Sequence, residues 1–281
     1  EDLAQRRAAR LRRQRLTRPA AKQSQPDTTK RMIYHIQQTT STNDEARDAR
    51  YRHGDVVWAE WQSAGRGQRG HSWLCPEGLN VTYSAILEPT FLPATEQFLF
   101  TEVAALSVVD TLGEYGIEAR IKWTNDIYVG DRKCAGMLIE HDLRGANLAR
   151  SIAGIGVNIN QTEFDPSLPN PTSMALASGR TFDRREVLER LVDRLMARYA
   201  QLEAGERETL QRDYHERMYR LGTCHPFRLA DGSIVRATVE GVRPTGELQL
   251  RHDDGTLHEY LFRQVEFLIE GRDTPAGTPA R

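Results

Sequence analysis

The chain has 281 residues, of which 39% are apolar and 27% charged, and its formal net charge is −1. That is ordinary globular material for one or two cores, and the balance of charge gives no nucleic-acid signal for the molecule as a whole. Cys75, Cys134 and Cys224 stand far apart, so neither a Cys-x-x-Cys zinc site nor a redox dithiol is suggested. No apolar run approaches the ~20 residues of a membrane span. With no signal-peptide pattern either, a cytoplasmic protein and no membrane partner are expected.

Residues 1–31 carry ten Lys/Arg against three Asp/Glu, a net of +7, so the remainder carries −8. The segment reads as a short helix near Leu3–Leu16 followed by a Pro/Gln/Thr-rich disordered linker. A solvated tail is the plain reading, and a nucleic-acid arm the alternative. Regular patterning starts at Met32. Met32–Gln38 reads as a strand, and Thr42–Tyr51 as a helix with Ser41 or Thr42 as N-cap and Glu45 at capping-box spacing. Asp55–Gln62 and Leu79–Leu87 read as strands around the glycine-rich loop 63–78. Phe98, Leu99, Val103, Leu106, Val109 and Leu112 recur at helical spacing within Glu96–Tyr115. Short strands follow at Ala119–Trp123, Ile127–Val129, Lys133–Glu140 and Leu148–Asn158. A second amphipathic helix over Glu186–Leu202 continues in pieces toward Met218. From Pro226 to Glu270, turn pairs every ~8–12 residues predict a small all-β module. The expected organisation is a basic extension, 1–31, a mixed α/β body, 32–220, a β-barrel-like domain, 222–271, and a flexible tail, 272–281.

Gln62 to Trp73 carries Gly65-x-Gly67-x-x-Gly70. A dinucleotide-binding reading needs a helix straight after the glycines; here Pro76, Gly78 and an alternating strand follow instead. A kinase reading needs His-Arg-Asp and Asp-Phe-Gly, which are absent, as is the G-x-x-x-x-G-K-[ST] phosphate loop. What remains is physical. Glycines let backbone approach a ligand, Arg66 and Arg69 offer forked cationic donors, and Trp73 offers a flat face for a fused ring. The competing reading is a mobile surface loop with a tucked tryptophan.

Three further clusters stand out. In Lys122-Trp123-Thr124-Asn125-Asp126, Asn125 and Asp126 either make an Asx turn or offer Asp126 to Mg²⁺ beside nucleotide phosphates. In Arg132-Lys133-Cys134-Ala135-Gly136, Lys133 is either an edge residue or, with small neighbours, a cation aimed into a cavity; Cys134 reads as a small buried apolar group. In Gly154-Ile155-Gly156-Val157-Asn158, the glycines let a strand lie against either a ligand or a neighbouring strand.

Together with Ser41-Thr42-Asn43, these segments resemble biotin protein ligases, also called biotin–[acetyl-CoA-carboxylase] ligases. The family's patterns occur in order over about 120 residues. They are Ser-Thr-Asn, Gln-x-x-Gly-Arg-Gly-x-x-Gly-x-x-Trp, Lys-Trp-Pro-Asn-Asp with Thr124 in place of Pro, Arg-Lys-x-x-Gly and Gly-x-Gly-x-Asn. The β tail matches more loosely. The resemblance implies an α+β fold, a class II synthetase-like mixed sheet flanked by helices with an SH3-like C-terminal barrel. It implies ATP-dependent activation of biotin to biotinyl-5′-AMP and transfer to a lysine of a biotin carboxyl carrier domain, with Mg²⁺. By the same resemblance, Ser41, Thr42, Asn43, Gln62, Gly65, Arg66, Gly67, Gln68, Lys133, Gly136, Gly154 and Gly156 would bind biotin. Arg69, Trp73, Asn125, Asp126 and Asn158 would lie at the nucleotide, with Asp126 holding the metal. Lys133 and Arg66 would carry the chemistry. Gln68 stands where some members have Arg, and Thr124 is expected to loosen its turn. The ~31 residues before the core are too few for a winged-helix domain, so no specific DNA binding is expected. A homodimer through an edge strand stays open. The rival readings are a lipoate–protein ligase and a non-catalytic regulator that binds the adenylate.

Overall fold

The computed structural model describes residues 31–70, 72–73 and 75–269, and at Arg69 the backbone only. The expectations for the basic extension, for the Arg69 side chain and for the tail beyond 269 lie outside the described residues. The chain divides between Arg31 and Met32. The unit beginning at Met32 contains the described strands and helices.

Seven strands form the main sheet: β1 (Ile33–Thr39), β2 (Val56–Gln62), β3 (Val81–Leu87), β4 (Arg120–Lys122), β5 (Asp126–Val129), β6 (Arg132–Arg144) and β7 (Asn147–Val157). Their order is β1-β2-β3-β7-β6-β5-β4. β1 and β2 run parallel and every other neighbour antiparallel, so the expected mixed sheet is borne out. β3 is buried along its whole length, its polar members Thr82 and Ser84 included. β6 runs four residues beyond the expected Glu140, because it pairs with β7 as far as Arg144 opposite Asn147.

The expected helix over Thr42–Tyr51 is only α1 (Thr42–Glu45). The side chains that would have capped and extended it are committed elsewhere. Ser41 makes no side-chain cap bond, Thr42 Oγ1 accepts from Ser84, and Glu45 accepts from the Tyr51 hydroxyl. Asp48 then accepts the Arg50 N–H at 2.9 Å and turns the chain. The three carbonyls of Ala46, Asp48 and Tyr51 converge on Arg150 Nη2 of β7.

Helix α2 (Phe98–Glu114) has 13 of its 17 residues buried, as a helix enclosed by the body requires. It packs against α4 (Arg184–Glu203) and α5 (Arg207–Glu216), while α3 (Met174–Ser178) is a single short turn. α4 is capped by Asp183, whose Oδ1 accepts the N–H groups of Arg185 and Glu186, and it buries Val187, Leu188, Leu191, Val192, Leu195 and Tyr199. Arg198 joins the three helices by pairing with Asp110 and Asp213, each at 2.7 Å.

Inside α2, Glu102 is 1% exposed, and neither carboxyl oxygen has a hydrogen-bond partner among the described residues. Burial pushes its carboxyl up from the ordinary 4.5 to about 8. The folded state then holds a proton that the unfolded chain gives up. The associated stability is complete below about pH 4.5 and is lost as pH rises through about 8. A loss on the order of a few kcal/mol, or roughly 5–10 °C in melting temperature, is expected across that window. Glu102→Gln should flatten it. Melting scans of both proteins at about pH 5 and about pH 9 would test this, and equal slopes would refute it.

The C-terminal strands β8 (Cys224–Leu229), β9 (Ile234–Val242), β10 (Leu248–His252), β11 (Leu257–Tyr260) and β12 (Val265–Phe267) form a five-stranded antiparallel sheet, order β11-β10-β9-β8-β12. Its turn at Gly246 meets the main body, where the Gly246 carbonyl accepts Trp123 Nε1–H at 2.9 Å.

Candidate active site

The sequence clusters converge on the part of the sheet where β3, β7, β6 and β5 lie side by side. Ser41, Thr42 and Asn43 are all buried at the start of α1. Gln62, at the end of β2, accepts the Thr42 N–H through Oε1 at 2.7 Å. Ser84 Oγ, on β3, lies 2.8 Å from Thr42 Oγ1 and 2.6 Å from Asn43 Oδ1. Asn43 Nδ2 donates to the Leu138 carbonyl at 3.1 Å and to Glu140 at 2.8 Å, both on β6. The result is a buried polar strip in which each side chain fixes its neighbour.

The glycine-rich loop is held as a narrow turn. Trp73 N–H donates to the Gly65 carbonyl at 2.8 Å, and Arg66 bridges to Ser72. A Cβ at buried Gly65 would lie 2.2 Å from the Trp73 carbonyl oxygen. Arg66 does not point into open space: it pairs with Glu140 and with Asp44 at 2.7 Å. Gly67 is half-buried, and Gln68 places a buried Oε1 with no partner among the described residues. Among the described residues of this loop, Gln68–Gly70 forms a one-turn 3₁₀ helix.

Trp73 lies across β6 and β7. A Cβ at Gly156 would stand 2.3 Å from its indole, and one at Gly136 would stand 3.3 Å away. A Cβ at Gly154 would stand 2.0 Å from Asn43 Oδ1. The three glycines thus make room for Asn43 and Trp73, side chains of the site itself. The Trp73 indole N–H is buried and has no partner among the described residues.

Lys133 extends beside this floor. Its Nζ sits 5.7 Å from the Trp73 ring centre and pairs with Asp126 at 2.7 Å. Its backbone is pinned by Asn170 and Thr172, with bonds of 2.7 and 2.8 Å. Asn125 donates its amide to the Met137 carbonyl instead of making an Asx turn with Asp126. Asn158 donates to the Thr172 carbonyl at 2.9 Å, holding the segment after β7 to the one that supports Lys133. Thr124 was expected to loosen its turn, yet it bonds Asn125 Oδ1, and its carbonyl accepts the Tyr214 hydroxyl at 3.0 Å. Cys134 is buried, and burial pushes its thiol up to about 12, which excludes a thiolate nucleophile at neutral pH.

Sequence reasoning missed Ser84, Glu140 and Asp44. A serine in an apolar strand was the signal for Ser84. Single acidic residues near a strand end or in a helix turn carry no comparable signal.

Residues 33–158 match the model of the biotin/lipoate A/B protein ligase family. The chain is 32% identical over 231 residues to the biotin–[acetyl-CoA-carboxylase] ligase of Paracoccus denitrificans, covering 78% of this chain and 94% of the relative. It is 34% identical over 167 residues to the bifunctional ligase/repressor BirA of Bacillus subtilis, and spans about half the length of that relative, 51%. The solved structure of the Aquifex aeolicus biotin protein ligase in complex with biotin and ATP superposes with a TM-score of 0.70 at 25% identity, covering 83% of this chain and 97% of that one. This chain belongs to the biotin protein ligase family.

Proposed function

We propose that the protein activates biotin with ATP to biotinyl-5′-AMP, releasing pyrophosphate, and transfers the biotinyl group to a lysine amine of a biotin carboxyl carrier domain. The observation that carries this reading is the convergence of five separated segments on one site. Asn43 sits on Gly154, Trp73 sits on Gly156 and Gly136, and Lys133 stands beside Trp73 with Asp126 as its partner. The buried strip of Thr42, Asn43, Gln62 and Ser84 offers donors and acceptors at fixed places, which suits a ureido ring with two N–H groups and one carbonyl. The apolar indole suits the fused rings.

In the first step a biotin carboxylate oxygen attacks the α-phosphorus, and pyrophosphate leaves. The difficulty is anion against anion. A cation held at a defined position lowers that barrier, and Lys133, pinned on both sides of its backbone, is the side chain built to do so. Arg66 contributes by holding the loop to the sheet, through its pairs with Glu140 and Asp44. In the second step an incoming amine attacks the acyl carbon, the acyl C–O bond breaks with its electron pair leaving on AMP, and the nitrogen gives up one proton to water. Shelter from water, supplied by the glycine-rich loop, keeps the mixed anhydride for that amine.

Among the described residues, no group of three His, Cys, Asp or Glu could hold a metal. Mg²⁺ commonly needs one or two carboxylates besides nucleotide phosphates. Asp126 beside Lys133 fits that limited role, and the ion would supply charge neutralisation at the phosphates. Three free cysteines fit a reducing cytoplasm, and no helix among the described residues is long and apolar enough to cross a membrane. The same reading assigns 32–220 to catalysis and 222–271 to a smaller β domain.

The test is direct. The protein is mixed with ATP, Mg²⁺, biotin and an isolated carrier domain, and the carrier is followed by intact mass. One biotin adduct per carrier is the expected result. An adduct only with lipoate on a lipoyl carrier, or biotin binding with no labelling, would overturn the reading in favour of a lipoate ligase or a regulator.

A further inference from the structure

Glu140 lies toward the outer end of β6 and outside every sequence motif named above. Its carboxylate is fully engaged. Oε2 accepts from Asn43 Nδ2 at 2.8 Å and from Arg66 Nη2 at 3.0 Å. Oε1 accepts from Arg66 Nη1 at 3.1 Å and lies 3.3 Å from Arg47 Nη2. The Arg66 contact is therefore the two-pronged pairing of a guanidinium with a carboxylate, which fixes direction as well as distance.

Two consequences follow from donor and acceptor chemistry. A carboxylate only accepts, and an asparagine amide offers a donor at one end and an acceptor at the other. Glu140 and the Leu138 carbonyl therefore hold Asn43 with Nδ2 toward β6, and Oδ1 is turned toward Ser84 and over Gly154. The same carboxylate grips Arg66 and so ties the Gly65–Trp73 loop to the sheet. Burial alone would raise the Glu140 carboxyl, but the bonds from Arg66 and Asn43 outweigh it and hold the group below the ordinary carboxylate range. Glu140 is thus an anion across the neutral range.

We propose that Glu140 is a positioning residue that sets the Asn43 amide for biotin and, through Arg66, latches the glycine-rich loop over the adenylate; this rests on the biotin-ligase reading above. One carboxylate then links recognition of the vitamin to retention of the activated intermediate.

The experiment uses the full chain. Biotin affinity is measured by calorimetry, and loss of preformed biotinyl-5′-AMP by a chase. Glu140→Gln is expected to weaken biotin binding about ten-fold and to speed adenylate release about ten-fold or more, the scale of one charge-assisted hydrogen bond. The KM for biotin should rise, with kcat for adenylate formation within about two-fold at saturating biotin. Glu140→Asp should recover part of the affinity. In an Arg66→Ala background, Glu140→Gln should still weaken biotin binding, through Asn43, and should speed adenylate release by no more than that same factor, because the latch is already gone. Asp142→Asn, which reaches Arg47 but neither Asn43 nor Arg66, should match the wild type. If Glu140→Gln binds biotin and keeps the adenylate like the wild type, the inference is overturned. It is also overturned if the losses scale with a lowered melting temperature and the aspartate variant recovers nothing. A wild-type chain that binds no biotin would instead remove the ligase reading, and this inference with it.

Discussion

Lys133→Ala is expected to slow biotinyl-5′-AMP formation by ~10²–10³-fold, the usual cost of losing a fixed charge-stabilising group at a reacting centre. The value of this lysine lies in how it is held. Its N–H and carbonyl are both bonded to the segment 170–172, and its Nζ is held by Asp126 at 2.7 Å. The ammonium is delivered to the site floor with little freedom left to lose. Asp126→Asn leaves the charge but weakens its tether, so a smaller loss, about ten-fold, is expected. Lys133→Arg should recover little. The stem runs over Gly136, where even a Cβ would lie 3.0 Å from Lys133 Cε, and a branched guanidinium needs more room than a compact ammonium. The check is pyrophosphate release from ATP and biotin, run beside transfer to carrier from supplied biotinyl-5′-AMP. If Lys133→Ala releases pyrophosphate within about three-fold of the wild type, the role assigned from charge stabilisation is wrong.

Much of the fold was readable from periodicity. The apolar spacing of Phe98 to Leu112 and of Val187 to Tyr199 marks α2 and α4, and the Asp-Gly and Thr-Gly pairs mark the C-terminal turns. The α1 expectation failed for a reason that lies in tertiary contacts. Thr42 and Glu45 have capping-box spacing, yet Ser84, 42 residues away on β3, and Tyr51, six residues on, claim their side chains, and a pattern confined to one helical turn contains neither partner. The site divides along the same line. Segments such as Gly65 to Trp73 announce themselves because several unusual residues stand close together. Glu140 is silent because its meaning depends on Asn43 and Arg66, which sit 97 and 74 residues away. The sequence also left open whether Gly154 and Gly156 face a ligand or another strand. Their faces meet Asn43 and Trp73, a third possibility that spacing alone does not contain.

That placement makes Gly154→Ala the second severe substitution. The added Cβ would lie 2.0 Å from Asn43 Oδ1 and 2.8 Å from its Cγ, well inside van der Waals contact, so the amide has to leave its position. Asn43 is buried and bonded to Leu138, Glu140 and Ser84. Moving it breaks several of those bonds together in a place where water cannot replace them. The strand itself has less to lose: Gly154 pairs with Ser84 and Leu138 through its backbone in extended conformation, which alanine also adopts. The expected outcome is therefore a folded protein whose biotin affinity falls ~100-fold or more, from roughly 3 kcal/mol of displaced polar contacts. Asn43→Ala in the same background should then add little, since the amide has already been expelled, whereas alone it should cost about as much as Gly154→Ala. Calorimetric titration of biotin into the two single variants and the double variant measures that coupling. Additive losses would mean that Asn43 keeps its position and that alanine acts at Gly154 by some route other than this contact.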